Sequence, residues 1–289
     1  MPNPERKGRL VVVGTPIGNL DDLSPRAARA LGQADAIFCE DTRVTAKLAS
    51  RVELTAPRIS CPAPRERSRV RELLDRLGRG ETVALVSDAG MPGISDPGER
   101  LVDAAAAGGF TIEVVPGPSA PASALAVSGL PAVPHFFAGF LPARAGERRR
   151  ALQELSGRKE TLVWFEAPHR LVESLEDSAQ VLGPRRASVA RELTKLHEEV
   201  VRGTLPELAA TFRSRGTGRG EITVVVEGTS ETPGEREGAT SLDEEIRRGL
   251  SRGTPKRALA RELAAKWDRP AREIYGRAVA IDRGNRGKT

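Results

Sequence analysis

The sequence predicts an α/β protein made of two consecutive α/β domains followed by a small helical domain. Apolar, strand-like runs alternate with amphipathic, helix-like runs along most of the chain, which is typical of α/β layers. The 289 residues are enough for two domains and a large core. Aromatic residues make up only 3% of the chain, so Ala, Val and Leu must fill that core.

The first domain is predicted over residues 1–118. Its strand-like runs lie at 10–15, 36–41, 82–88 and 111–117, and its helical runs at 24–34, 70–80 and 99–109. Ser24 is placed as an N-cap with Pro25 at the first helical position. The repetition of strand, helix and strand predicts a parallel sheet with helices on both faces.

The second domain is predicted over residues 119–228. It begins with a helical run at 119–130, for which Ser119 is the expected N-cap. Strand-like runs follow at 136–142, 161–167, 186–192 and 221–228, with helical runs at 148–157, 169–183 and 205–215. The same alternation therefore predicts a second α/β layer structure.

The remaining chain is predicted to be a linker, residues 229–241, and a basic helical appendage, residues 242–289. The linker is small, polar and charged, with almost no large apolar side chains. In the appendage, Thr254 is an expected N-cap, and Leu259, Leu263 and Trp267 share one helix face. Two short helices with a tight turn fit either a helix-turn-helix or a plain helical hairpin.

The net charge of +6 is concentrated in the appendage. Residues 242–289 carry 13 Lys and Arg against 7 Asp and Glu, so the preceding 241 residues are formally neutral. A basic appendage on a neutral body indicates an anionic macromolecular partner, nucleic acid first. A solvated tail that only keeps the protein soluble is the alternative on charge alone.

The expected location is the cytoplasm, with no membrane partner. Cys39 and Cys61 are too few for a disulfide framework, which favours a reducing compartment. The sequence shows no apolar run of membrane-spanning length and no secretory leader at its start.

Four loops rich in small residues follow four of the predicted strands, and we expect them to line one crevice. They are Gly14–Leu20, Val86–Gly98, Val115–Ala120 and Phe137–Pro142. Ligands of open α/β folds bind at the carboxyl edge of the sheet, where such loops lie. None has the lysine of a phosphate loop or the spacing of a dinucleotide fingerprint. The loops therefore predict a pocket for a polar zwitterion joined to a flat base.

The order of these motifs resembles a known family. GTPIGNL, CEDTR, VSDAGMPGISDPG, PGPSA, GFLP, EAPHR, ARELTK and GE-ITVVVEG occur in that order between Leu10 and Gly228. Together they are similar to the small-subunit rRNA methyltransferases among the tetrapyrrole methylase-like, class III methyltransferases. The resemblance implies a homodimer with S-adenosylmethionine in the cleft between the two α/β domains. It also implies methyl transfer to the ribose 2′-hydroxyl of a decoding-centre cytidine, in rRNA or in the assembled small subunit, and no DNA partner.

The resemblance also carries cofactor contacts over to this chain, motif by motif. The implied contacts are Pro16, Asp88, Met91, Ser119, Ala120, Phe165 and Leu193. No metal is expected, since in-line methyl transfer does not need one. His135, His169 and His197 are also far apart in sequence and show no metal-binding spacing.

Three motifs at strand ends supply candidate catalytic groups, because a ribose hydroxyl is a weak acid that a base or a charged partner would assist. The candidates are Glu40, Asp41 and Arg43 in CEDTR, Glu166 in EAPHR, and Arg191, Glu192 and Lys195 in ARELTK. A carboxylate beside an arginine also forms loop-ordering ion pairs, so the sequence leaves the choice among them open. His169 is expected to pack in its loop.

One segment departs from the family pattern. Where the family is expected to have a segment with histidine and asparagine ending in glutamate, residues 60–70 read SCPAPRERSRV, and only Glu66 matches. This departure concerns contacts with the RNA substrate more than contacts with the cofactor.

Three other functions remain to be distinguished. A methylase of a tetrapyrrole precursor shares the implied fold but has no need of a basic appendage. A diphthamide-pathway methylase would lack CEDTR, EAPHR and the helical appendage. A non-catalytic ribosome-assembly factor could keep the fold without binding S-adenosylmethionine.

Overall fold

A computed structural model describes residues 8–230, 245–267 and 269–286 of the chain. These residues fall into two compact units, the first ending at Gly228 and the second beginning at Thr229. Within the described ranges every helix is too short or too polar to cross a lipid bilayer. The predicted linker, 229–241, lies outside the described residues except for its first two positions.

The first sheet is fully parallel and has the strand order β3-β2-β4-β1-β5. Its strands are β1 (Arg9–Val13), β2 (Ala36–Cys39), β3 (Arg58–Ser60), β4 (Thr82–Val86) and β5 (Thr111–Val115). The helices around it are α1 (Pro25–Gly32), α2 (Thr42–Ala46), α3 (Glu66–Gly78) and α4 (Glu99–Ala107). Two apolar clusters, one built around Leu10 and Phe38 and the other around Val11 and Ile37, form the core. The parallel sheet predicted from the sequence is confirmed.

The second sheet is mixed, with the order β6-β7-β10-β8-β9. It contains β6 (His135–Phe140), β7 (Thr161–Glu166), β8 (Arg186–Arg191), β9 (Glu199–Thr204) and β10 (Ile222–Val226). Its helices are α5 (Ala120–Ser128), α6 (Ala145–Leu155), α7 (Leu171–Leu182) and α8 (Leu205–Arg215). Only β6 and β7 pair in parallel, and the other neighbours are antiparallel.

Two strands and one α-helix of the first unit were not predicted, and each lacks the expected length or pattern. The strand β3 has three residues, of which only Ile59 is buried, and it lies at the edge of its sheet. The strand β9 is also an edge strand, and none of its residues is fully buried. The helix α2 has only five residues and begins at the end of CEDTR.

The predicted helix caps had different outcomes. The Ser24 side chain accepts a hydrogen bond from the Ala27 amide, so that N-cap is confirmed. The prediction for Ser119 was wrong in part. The residue occupies the N-cap position of α5, but its side chain accepts no capping hydrogen bond. An exposed N-terminal amide can be hydrated by water instead, so the helix forms without that bond.

The second unit is a small helical bundle with its own apolar cluster. Residues 245–251 are helical, followed by α9 (Lys256–Trp267) and α10 (Ala271–Arg286). Leu259 and Leu263 are buried in this cluster and Trp267 packs against it, as the helical spacing predicted. The indole N–H of Trp267 donates to the Glu245 carboxylate, at 3.0 Å.

Candidate functional site

The loops after β1, β4 and β5 meet at the carboxyl edge of the first sheet. Thr15 and Gly90 exchange backbone hydrogen bonds of 2.9 and 3.2 Å, which joins the loop after β1 to the loop after β4. The Gly14 amide donates to the Val115 carbonyl at 2.9 Å, which joins the loop after β1 to the end of β5. The convergence predicted from the four glycine-bearing loops therefore holds for these three.

The contact between Gly14 and Gly117 leaves no space for side chains. A Cβ placed on Gly14 would lie 2.6 Å from the Gly117 Cα and 2.7 Å from the Met91 Sδ. The two loops can approach this closely only because both residues are glycine.

We expect Gly14→Ala to separate these loops. Overpacking against backbone costs about 1–3 kcal/mol of unfolding free energy, and the shifted Met91 should weaken ligand binding as well. Thermal unfolding and ligand titration of this variant provide the measurement. Gly146→Ala is the control, because a Cβ built there meets no described atom within 4 Å beyond its chain neighbours and the backbone of its own helix. An unchanged melting temperature for Gly14→Ala would contradict the assigned contact.

A cavity of about 300 Å³ lies where these loops face the second sheet. Five of the seven predicted cofactor contacts line it: Met91, Ser119, Ala120, Phe165 and Leu193. Its wall is largely apolar, and the Phe165 ring is held by Phe137 and Phe140, whose ring centroids lie 5.0 and 5.3 Å away. An apolar, aromatic wall suits a flat base. We call this space the first cavity.

A second cavity, of about 250 Å³, adjoins the first and shares Ile17, Ala89 and Glu221 with it. The other two predicted cofactor contacts, Pro16 and Asp88, line this second cavity. Its lining also includes Lys195, the one predicted catalytic residue found there. The two spaces together form a crevice to which both sheets contribute.

The side chain of Lys195 contacts the loop after β1 and also binds two carboxylates next to strands of the second sheet. Its ammonium donates to Glu192 at 2.9 Å and to Glu221 at 2.8 Å. A Cβ on Gly18, in the loop after β1, would lie 2.4 Å from the Lys195 Cγ, so the loop touches this side chain. Burial lowers the pKa of Lys195, but the hydrogen bonds to Glu221 and Glu192 outweigh it and hold the pKa above its ordinary value. Lys195 therefore carries its proton at neutral pH.

The ARELTK loop has an unusual backbone. Glu192 and Thr194 have φ values of 52° and 67°, which are uncommon outside glycine and cost about 1–3 kcal/mol each. The Glu192 carboxylate secures the loop by accepting from the Glu221 amide at 3.0 Å. Arg191 points elsewhere, because it pairs with Glu199 of β9 at 3.3 Å and lines neither cavity.

The CEDTR residues order a loop next to the crevice. Asp41 caps α2 by accepting from the Arg43 amide, and it pairs with the Arg43 guanidinium at 2.6 Å. These bonds lower the pKa of Asp41 to about 2. The Asp41 amide donates to the Asp88 carboxylate at 3.0 Å. Glu40, Asp41 and Arg43 are absent from the lining of both cavities, so they support Asp88 rather than face a ligand.

Glu166 lies in the first cavity as a buried carboxylate. Its Oε1 accepts from the Ala167 amide at 2.9 Å and pairs with Arg170 at 2.7 Å. Its Oε2 is buried and has no hydrogen-bond partner among the residues that the structure describes. An orphaned buried acceptor is costly unless a ligand donor reaches it, which indicates ligand binding more than proton transfer.

Asp96 is a residue of the crevice that is not among the predicted cofactor contacts or catalytic candidates. It lines the first cavity. Burial raises its pKa to about 6, against a lowering hydrogen bond from the Ser87 hydroxyl, and the charges of Asp88 and Glu221 raise it further. Asp96 is the second aspartate of the motif VSDAGMPGISDPG, so the sequence already placed it in a loop of the predicted crevice. Its neighbours Asp88 and Glu40 also have raised pKa values, mainly through burial.

The buried carboxylate of Glu66 holds the loop that carries Asp96. Its Oε1 accepts from the amides of Gly98 and Arg100, each at 2.9 Å. This contact ties the start of α3 to the loop after β4.

Comparison with known proteins identifies the family. The sequence profile of the tetrapyrrole (corrin/porphyrin) methylases matches residues 9–209. The chain belongs to this family. It is therefore an S-adenosylmethionine-dependent methyltransferase.

Relatives and a solved structure agree with this tetrapyrrole methylase assignment. A protein of Halalkalibacterium halodurans named ribosomal RNA small subunit methyltransferase I is 40% identical over 93% of this chain and 94% of its own length. A protein of a Synechocystis species with the same name is 42% identical over 95% of this chain and 99% of its own. The structure of uroporphyrin-III-C-methyltransferase from Thermus thermophilus has a TM-score of 0.55 at 20% identity. It covers 75% of this chain and 94% of its own, and shows the shared fold.

The first cavity fits the family's cofactor. It combines an apolar, aromatic wall with the carboxylates of Asp96 and Glu166, and the unpartnered Oε2 of Glu166 can accept a hydrogen bond from a ligand. A sulfonium ion is a cation that cannot donate hydrogen bonds, so nearby carboxylates favour it. Among the described residues no group of three His, Cys, Asp or Glu side chains is arranged to hold a metal ion.

Proposed function

We propose that this chain transfers a methyl group to the ribose 2′-hydroxyl of a decoding-centre cytidine in small-subunit rRNA. The observation that carries the proposal is the crevice with two adjoining cavities, one fitted to S-adenosylmethionine and one lined by polar groups that include Lys195. The named activity of relatives 40% and 42% identical over nearly the whole chain supports RNA as the substrate. We also propose that the protein acts in the cytoplasm as a homodimer and does not act on DNA.

The residues of the first cavity would hold the cofactor. Met91, Ser119, Ala120 and Leu193 enclose it, while Phe165 supplies an aromatic face. Bound S-adenosylmethionine supplies a methyl group on a positively charged sulfur. The carboxylate of Asp96 lowers the energy of a cation in this partly buried space.

The second cavity would hold the target ribose. Its Lys195 ammonium is kept charged by Glu192 and Glu221, and it can stabilise the alkoxide that forms when the 2′-hydroxyl releases its proton to water. Holding both reactants in adjoining cavities also aligns them, which removes much of the entropic barrier. Asp88 and Pro16 shape the wall of this cavity.

Analysis of rRNA from a strain that lacks the gene tests the activity. Mass spectrometry should show loss of one ribose methyl group on a small-subunit cytidine, and purified protein with S-adenosylmethionine should restore it. Unchanged rRNA modification would contradict the proposal. Binding of S-adenosylmethionine without methyl transfer to rRNA or to small subunits would favour a different substrate, such as a tetrapyrrole precursor.

The second unit is proposed to add RNA affinity. Its described residues include exposed arginines on the helices and the turns between them: Arg247, Arg248, Arg252, Arg257, Arg261, Arg269 and Arg272. Removing residues 242–289 is expected to weaken RNA binding and to flatten its salt dependence, by about 0.7 in slope for each lost phosphate contact on a single strand. Filter binding at several salt concentrations measures this effect, with calorimetry as the check that cofactor affinity is kept. An unaltered salt slope would remove this role from the appendage.

A further inference from the structure

A second group of exposed arginines lies on the first unit, at the start of α3. Within residues 60–71 there are four arginines and one carboxylate, Glu66. Glu66 is buried and faces the amides of Gly98 and Arg100, so it does not neutralise the surface. Arg69 pairs with Glu72 at 2.7 Å, which leaves Arg65, Arg67 and Arg71.

These three arginines are exposed and have no carboxylate within ion-pair distance among the described residues. Many other arginines of the first unit are paired, including Arg9, Arg76, Arg79 and Arg148. Arg67 and Arg71 are four residues apart in α3 and therefore lie on one helix face. Three adjacent cations without internal partners repel one another, so the folded chain gains nothing from them.

The position of this surface connects it to the crevice. Because β3 and β4 are parallel, α3 begins at the carboxyl edge where the loops of the crevice lie. The bonds from Gly98 and Arg100 to Glu66 join this helix start directly to the loop that carries Asp96. Arg100, at the start of α4, is itself exposed and has no ion-pair partner in the described part of the chain, so it extends the same surface. We call Arg65, Arg67, Arg71 and Arg100 the arginine face.

We propose that the arginine face binds the phosphate backbone of the RNA strand next to the target nucleotide. This inference rests on the proposed function and adds a contact surface distinct from the basic appendage. Asp88 and Asp96 line the crevice, and Glu40 and Asp41 lie in the loop next to it, so these carboxylates repel a polyanion. Cations at its border offset that repulsion, and guanidinium groups suit phosphate contacts because they can donate two parallel hydrogen bonds.

The test compares two double variants of the full-length protein. Arg67→Gln with Arg71→Gln removes two of the four charges of the arginine face. Arg150→Gln with Lys159→Gln removes two exposed cations from the second half of the same unit, which have no ion-pair partner among the described residues. Binding to protein-free small-subunit rRNA and to purified small subunits is measured at several salt concentrations. For two lost phosphate contacts we expect a salt slope lower by about 1.4, and at about 0.1 M salt an affinity weaker by roughly 25-fold.

The control variant should bind like the wild type, and both variants should keep wild-type affinity for S-adenosylmethionine. Equal RNA affinity of the face variant and the wild type would overturn the inference. Loss of binding to small subunits with unchanged binding to protein-free rRNA would also overturn it, in favour of a ribosomal protein contact. Failure of the proposed function is a separate result, namely a target nucleotide left unmethylated by the wild-type protein.

Discussion

Replacing Lys195 by methionine is expected to lower kcat by about 10²- to 10³-fold, the usual effect of removing one donor to a developing oxyanion. Its ammonium lines the second cavity and remains protonated through its bonds to Glu192 and Glu221. Because Lys195 does not line the first cavity, the affinity for S-adenosylmethionine should change little. Single-turnover methylation of small subunits, together with calorimetry of cofactor binding, separates these two effects.

Two controls distinguish a direct contribution of Lys195 from a structural one. Lys195→Arg keeps the charge and should recover part of the rate. Lys47→Met removes an exposed lysine from the same cavity and should cost much less. Lys195→Met also leaves Glu192 and Glu221 without their shared cation, so its melting temperature must be compared with that of Lys195→Met/Glu221→Gln. A kcat within threefold of wild type would refute this role.

Replacing Asp96 by asparagine is expected to weaken cofactor binding while stabilising the protein without cofactor. Burial and the charges of Asp88 and Glu221 raise the pKa of Asp96 from 3.8 to about 6. A raised carboxyl pKa means that the folded state holds a proton which the unfolded state releases between about pH 4 and pH 6. The resulting stability is present at low pH and is lost as the pH rises through 6. At pH 8 the wild type carries the cost of this buried charge, and the asparagine variant does not.

The affinity for the cofactor should also depend on the ionisation of Asp96, but it should increase as the pH rises. A cation near Asp96 favours the ionised carboxylate, so binding is coupled to proton release. The Kd of the wild type should rise by up to about tenfold per pH unit below pH 6. Calorimetry at pH 5, 6.5 and 8 measures this, and differential scanning fluorimetry follows the protein without cofactor. Asp103→Asn, at an exposed position of α4, is the matched control. A wild-type Kd that does not vary between pH 5 and pH 8 would contradict the assignment.

Particular strands show which parts of the fold the sequence patterns predicted. The runs at 10–15, 82–88 and 111–117 predicted β1, β4 and β5 because each is a short, apolar-rich run that ends in small or turn-forming residues. The loops after these strands were correctly expected to converge, since parallel strands end at one edge of the sheet. The edge strand β9 escaped prediction because its half-buried residues give little periodicity.

The residues of the candidate site were also predicted only in part. Local motifs identified Met91, Phe165 and Leu193, which line the first cavity. They did not separate Lys195 from Glu40, Asp41 and Arg43, because every one of these charged residues follows a strand. Only the contact between Gly18 and Lys195 shows which of them reaches the crevice.

The sequence by itself determined the α/β alternation, the glycine-bearing strand ends and the family, because each depends on residues close together in the chain. The tertiary structure decided which charged groups share a cavity, which are neutralised by neighbours and which remain unpaired. Those outcomes depend on contacts between distant segments, such as Glu66 with Gly98 and Glu192 with Glu221. Burial and Coulomb interactions act through space, so the raised pKa of Asp96 and the unpaired arginine face could be found only once the fold had placed their neighbours.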